Sequence, residues 1–342
     1  MKHIKKILAV ILTVAALISL TACSLISEDE TDITNDNIKI GVILSGDRET
    51  LSGYSGVANS SIAELTSIDY GINSERFRYA ENVDVNDSAA IKENLQKLVN
   101  LECNVIWVTE PAFYDEALEI APASPNTEFM VFEGASSGDN VKGYRANITG
   151  ATYLAGLVAG TKATELKVPQ IGFISKNEKD MTTLNAFAAG VKAAAPTAKI
   201  QTVFSTDASA ADKLIKAGCV VLASDFESED IAKAAQNNNA FFCSFGTNSL
   251  AETYNKSYLC APLYDFTQYY IDTIKALVDG TEVKEYNGSF SSGATMLSDL
   301  NDQTTSDAAK AAVVKAAGEL SNGTLSFEIS ATIPLDNIVI VK

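Results

Sequence analysis

The feature that most limits what this chain can fold into is a rhythm. A short apolar run stops at Ser, Gly or Thr, a stretch with helical spacing follows, and the unit repeats. Residues 38–44 (Ile-Lys-Ile-Gly-Val-Ile-Leu) end at Ser45-Gly46, as a strand buried on both faces of a parallel sheet does. Further strands are expected at 76–79, 105–108 and 128–132, with helices at 55–67, 88–101 and 113–120 between them. The series then restarts. Helices are expected at 148–163 (capped by Asn147), 181–194, 208–216 and 229–236, and strands at 170–175, 200–204, 219–223 and 240–244. Two successive βαβα series predict an α/β protein of two doubly wound parallel-sheet domains joined by a hinge. The remaining residues offer helices at 266–278 and 306–320 and closing strands near Leu325 and Ile338. They are too few for a third sheet, so the chain is expected to cross between domains more than once. The expected N-terminal lobe is 38–147 plus about 247–290, and the C-terminal lobe 148–246 plus about 291–342.

The first 22 residues follow a different logic. Lys2, Lys5 and Lys6 precede an apolar run from Ile7 to Leu20, and Leu20-Thr-Ala-Cys23 closes it. Basic head, apolar middle and small residues before a cut form a secretory signal. A core of roughly 14 residues is short for a transmembrane helix, which needs about 20. Residues 1–22 therefore read as a signal peptide, with Cys23 as the first residue after cleavage. The polar, acidic stretch 23–37 reads as a flexible tether. No later stretch reaches about 18 consecutive apolar residues, so the body is expected to be soluble.

Composition narrows the function. The formal net charge is −17, and loss of the three leader lysines would take it to −20. Such a surface argues against nucleic acid and against adhesion to anionic lipid. The single histidine, His3, lies in the leader. A mature chain without histidine has no Ser-His-Asp or Cys-His nucleophile and lacks the commonest metal ligand. No catalytic residue, metal or cofactor is expected. Cys103, Cys219, Cys243 and Cys260 form no CxxC pair and read as buried free thiols.

In open α/β sheets a ligand sits beyond the carboxyl ends of the strands, and two such domains make a cleft that closes on it. After the first strand comes a polar, Gly-rich loop, 45–55, carrying Tyr54. After the third comes Thr109-Glu-Pro-Ala-Phe-Tyr-Asp115. Asp225-Phe226 follows strand 219–223, and Gly246-Thr-Asn248-Ser follows Phe245. Aromatics with carboxylates or amides suit a flat heterocycle, whose faces take rings and whose N–H groups take acceptors.

Tyr144-Arg-Ala-Asn-Ile-Thr-Gly-Ala-Thr-Tyr-Leu-Ala-Gly-Leu-Val-Ala-Gly160, followed by Ile171-Gly-Phe-Ile and Phe187-Ala-Ala-Gly-Val191, resembles the basic membrane protein family. Its members are lipoprotein substrate-binding components of ABC importers with a periplasmic-binding-protein-like (type I) fold, and the best-understood bind purine nucleosides. Leu20-Thr-Ala-Cys23 resembles the lipobox of bacterial lipoproteins, which implies lipid on Cys23 and a place on the outer face of the cell membrane. Residue by residue, the resemblance implies that Tyr54 stacks on the ligand and that Asp115, ten residues before Pro125, takes part. Phe187 matches the family's phenylalanine of the second domain. Asn248 stands where the family has an Asp, and Tyr264-Asp265-Phe266 matches an aromatic-acid-aromatic motif. Together with Asp225 these make the expected ligand-binding set: Tyr54, Asp115, Phe187, Asp225, Asn248, Tyr264 and Asp265. The expected partners are a purine nucleoside or base, a membrane permease with its ATPase, and the bilayer through Cys23. The alternatives are a ligand sensor of the same fold serving a signalling protein, a sugar-binding protein, and a carboxylate-based nucleoside hydrolase.

Overall fold

A computed structural model describes residues 32–67 and 71–341 of the 342-residue chain. The leader with Lys2, Lys5 and Lys6, and Cys23 with most of the tether, lie outside the described residues. No described helix is long and apolar enough to cross a membrane.

The first sheet begins with β1 (Ile40–Ile43), β2 (Phe77–Ala80), β3 (Val105–Val108), β4 (Glu128–Phe132) and β5 (Val141–Ala146). Helices α1 (Gly53–Leu65), α2 (Ser88–Asn100) and α3 (Tyr114–Ile120) connect them. The chain then enters the second half through α4 (Thr149–Glu165). There β6 (Gln170–Ser175), β7 (Lys199–Phe204), β8 (Val221–Ser224), β9 (Phe241–Cys243) and β10 (Tyr258–Cys260) build the second sheet. Its helices are α5 (Thr182–Ala194), α6 (Ser209–Lys216) and α7 (Glu229–Asn237). After β11 (Pro262–Tyr264), α8 (Thr267–Val278) and β12 (Tyr286–Gly288) return to the first half. Then β13 (Thr295–Leu297), α9 (Asp307–Ser321) and β14 (Ile338–Ile340) finish the second.

Two six-stranded sheets result, ordered β12-β5-β4-β3-β1-β2 and β10-β9-β8-β6-β7-β14. Every ladder within them is parallel. This is the doubly wound, two-domain α/β architecture expected from the rhythm. The inner strands β1, β3 and β8 are buried on both faces, which is why they read as unbroken apolar runs.

Three crossings join the halves. Asn147 precedes α4, while β11 and β13 form a small antiparallel sheet between the lobes. Thr295 Oγ1 donates to the Asn147 carbonyl at 3.2 Å, tying two of the crossings together. The sheets shift one expected boundary: β10 belongs to the second sheet, so the chain returns after Cys260 rather than near residue 247. Near Leu325 there is no strand. Buried Asn185 of α5 instead pins the closing segment, donating to the carbonyls of Ser330 and Ile333 and accepting from Leu335 N–H. Side-chain amides thus satisfy backbone groups that a ladder would otherwise hold.

The glycine-rich segment that carries the family resemblance is a packing device. It forms α4, buried on almost all sides, and lies against α5 with backbones in near contact. A Cβ on Gly156 would stand 2.1 Å from the Phe187 carbonyl oxygen, and one on Gly190 2.0 Å from that of Tyr153. Only glycine permits that approach.

Candidate functional site

A cavity of about 430 Å³ lies between the lobes at the carboxyl ends of the strands. The first lobe and the hinge contribute Ser52, Gly53, Tyr54, Val57 and Tyr264. The second contributes Lys176, Asp225, Phe226, Glu227, Glu229, Phe245, Gly246 and Leu250.

Tyr54 and Tyr264 belong to a continuous aromatic cluster. Tyr54 sits 4.8 Å from Phe132, and Phe132 lies 6.0 Å from Tyr264 and 5.5 Å from Phe266, centroid to centroid. Behind them Tyr144 touches Phe132 and Phe266, and the Tyr144 and Tyr270 hydroxyls share a hydrogen bond at 3.1 Å. Trp107 closes the series, stacked on Tyr270 of α8 at 4.0 Å and fully buried. The cavity wall is thus the exposed end of a rigid core layer, which fixes Tyr54 and Tyr264 before any ligand arrives.

The carboxylates are held as firmly. Asp225 follows β8 and accepts hydrogen bonds from Ser175 Oγ and from Lys176 N–H. Burial pushes its carboxyl up, although those two bonds and the Lys176 charge oppose the shift. Glu110 follows β3, is 8% exposed and accepts from Ser45 Oγ. Burial raises it as well, against the Ser45 bond and Lys176. Glu227 accepts from Gly53 N–H, Thr247 Oγ1 and Ser249 Oγ. The Tyr54 hydroxyl is raised first by burial and then by Glu133, Glu110 and Asp225, which gather negative charge around the ring. Among the described residues no His, Cys, Asp and Glu cluster is arranged to hold a metal ion.

Of the expected ligand set, the structure brings Tyr54, Asp225 and Tyr264 together. It places the other four elsewhere. Phe187 is buried in the second lobe's core, 5.3 Å from Phe173, because its place on α5 points under the sheet. Asp115 is exposed in the first turn of α3, one element beyond the strand end. Asn248 is exposed in its loop, and Asp265 accepts from Thr267 N–H at the start of α8. Lys176 and Glu227, each within three residues of a strand end, also line the cavity and stand outside the expected set. The strand-end rule that selected Asp225 would have found them. Cys103, Cys219, Cys243 and Cys260 are free and buried.

Fold and cavity together define a two-lobed α/β protein with a cavity at the hinge. The chain belongs to the ABC transporter substrate-binding proteins of the PnrA-like (Bmp) family, whose pattern matches residues 38–305. Among curated relatives, a putative ABC transporter glucose-binding protein of Haloferax volcanii is 26% identical over 227 residues, 64% of this chain and 57% of that protein. A purine-binding protein of Brucella abortus is 22% identical over 211 residues, 59% of each. The chain thus spans less than two thirds of the length of either relative. Among solved structures, an ABC transporter solute-binding protein from Conexibacter woesei superposes with a TM-score of 0.71 at 17% identity. That match covers 85% of this chain and 99% of the other. One from Aeropyrum pernix gives 0.63 at 14%, covering 86% and 94%. Likenesses at such identities establish the fold.

Proposed function

We propose that the chain is the extracytoplasmic receptor of an ABC importer, binding a purine nucleoside or base in the interlobe cavity. The observation that carries the reading is the pairing of fixed rings with fixed acceptors across one small cleft. Tyr54 and Tyr264 offer faces to a flat heterocycle, and Asp225 offers oxygens to its N–H groups. Family membership and the purine-binding relative from Brucella abortus support it. Hinge closure then signals occupancy to a permease and its ATPase. The test is a thermal-shift screen of the body, residues 38–342, against nucleosides, bases and sugars, since a bound ligand raises apparent stability by mass action. Stabilisation by a purine supports the proposal; stabilisation by a sugar while every purine is silent overturns it.

The sugar reading rests on one specific observation, the likeness to the putative ABC transporter glucose-binding protein of Haloferax volcanii. The same screen decides between them.

The proposal includes a lipid anchor on Cys23, supported by the leader and by the acidic tether that follows it. Cys23→Ala should leave the chain uncleaved or release it to the medium. A processed, membrane-retained Cys23→Ala protein, followed by fractionation and mass spectrometry, would refute the anchor.

A further inference from the structure

Helix α1 begins without a cap of its own. The Ser52 side chain makes no capping hydrogen bond, and the first turn carries no acidic residue. The first N–H groups of a helix have no partner within it and carry partial positive charge. The missing partner comes from the other lobe, 174 positions away: Glu227 Oε2 accepts Gly53 N–H at 2.9 Å. On its own side the carboxylate is already fixed, since Thr247 Oγ1 donates to the same oxygen at 2.8 Å and Ser249 Oγ donates to Oε1. Gly53 has φ of +61°, a backbone conformation that glycine adopts without strain. Both residues line the cavity, so parting the lobes must break this bond.

We propose that Glu227 is a latch: anchored on the second lobe, it caps the N-terminus of α1 on the first and sets the closed fraction of the ligand-free protein. The proposal makes Glu227 a positioning residue for ligand binding, acting through the relation of the lobes. A receptor already partly closed binds with an affinity scaled by that closed fraction. Because α1 has no acid in its first turn, removing Glu227 leaves its N-terminal N–H groups facing an open cleft. The affinity arm of the test rests on the purine reading; the shape arm does not.

The experiment measures small-angle scattering and guanosine affinity on the body, residues 38–342, for wild type, Glu227→Ala and Glu227→Gln. Ligand-free Glu227→Ala should show a larger radius of gyration than wild type and return to the wild-type value with saturating guanosine. Its affinity should fall roughly tenfold, the scale of one capping interaction. Glu227→Gln, which keeps an acceptor but loses the charge, should fall between. If ligand-free scattering of Glu227→Ala matches wild type, the latch is overturned. Lost affinity with unchanged scattering marks Glu227 as a ligand contact and also overturns it. Should Glu227→Ala fail to fold, Thr247→Val combined with Ser249→Ala frees the carboxylate from its anchors and must give the same expansion. Wild type that ignores guanosine would fell the purine reading, and the ligand-free scattering would still decide the latch.

Discussion

The two lobes use their aromatic residues in opposite ways. In the first, rings run outward from Trp107 through Tyr270, Tyr144 and Phe132 and end at Tyr54 in the cavity wall. In the second, Phe173 and Phe187 face inward as core, and the cavity meets Phe226 and Phe245 beside Lys176, Asp225 and Glu227. The first lobe therefore meets the cavity with rings backed by its core, while the lining charges, Lys176, Asp225, Glu227 and Glu229, all come from the second. Rings rooted in the core of the first lobe and charged groups of the second thus face one cavity.

That division can be broken most forcefully at Phe187. Phe187→Ala should cost about 3–5 kcal/mol of stability, the range for a buried ring, read from urea midpoints. Ligand affinity of the folded protein should stay near wild type. Affinity that collapses at preserved stability would place Phe187 in the site and erase the contrast.

Asp225 and Asp115 form the next pair. Asp225→Ala should weaken purine binding by about 1–3 kcal/mol, since it removes a buried acceptor and strands its donors. Asp115→Ala, on an exposed helix turn, should change it by less than about 0.5 kcal/mol. Calorimetric titration of both variants reads the difference; equal losses would mean that the polar half of the site extends beyond the second lobe.

Tyr54 is the smaller, aromatic counterpart. Tyr54→Ala should lower affinity by about 0.5–1.5 kcal/mol, the worth of one aromatic pairing, while Tyr54→Phe keeps most of it. Unchanged affinity in Tyr54→Ala would leave the first lobe without a recognition role.

The smallest effect is one of pH, and it draws on both lobes. Glu110 and Asp225 are both raised by burial. The native state therefore holds protons that the unfolded chain has released. By linkage the stability from these groups is present in acid and lost as pH rises through the native pKa values. Ligand-free stability should thus increase as pH falls from neutral toward the ordinary carboxylate range. Glu110→Gln with Asp225→Asn should flatten that slope in a series of denaturation midpoints. A wild-type profile already flat there would show that the hydrogen bonds to Ser45 and Ser175 outweigh burial.

The long elements were legible because each is a full strand or helix with its own period. Val105–Val108 and Val221–Ser224 are buried on both faces and announce themselves as apolar runs. β5 escaped notice because Val141-Lys-Gly-Tyr-Arg-Ala interleaves Lys142 and Arg145 near the sheet margin. The three-residue strands β10 to β13 are too short to carry a period at all. Of the residues chosen by the strand-end rule, Tyr54 and Asp225 line the cavity, where backbone position alone decides. Phe187, carried over from the family resemblance, lies in the core instead, because which side of α5 meets the sheet is settled by packing against Phe173. Glu227 stayed hidden for a related reason: its partner is a backbone N–H on the other lobe, and such a contact leaves no pattern in either stretch of sequence.

The close crossing of α4 and α5 separates what such a protein can inherit loosely from what it must inherit intact. A methyl group on Gly156 or Gly190 would force two backbones apart in the middle of the second lobe. Tyr54, Asp225 and Glu227 stand on or beside strand-end loops that lie away from that crossing and can be exchanged without disturbing it. A lineage carrying these glycines is free to change its cargo while its chassis stays fixed. Two chains that share the glycine segment therefore share a scaffold, and only the loops at the cleft tell their diets apart.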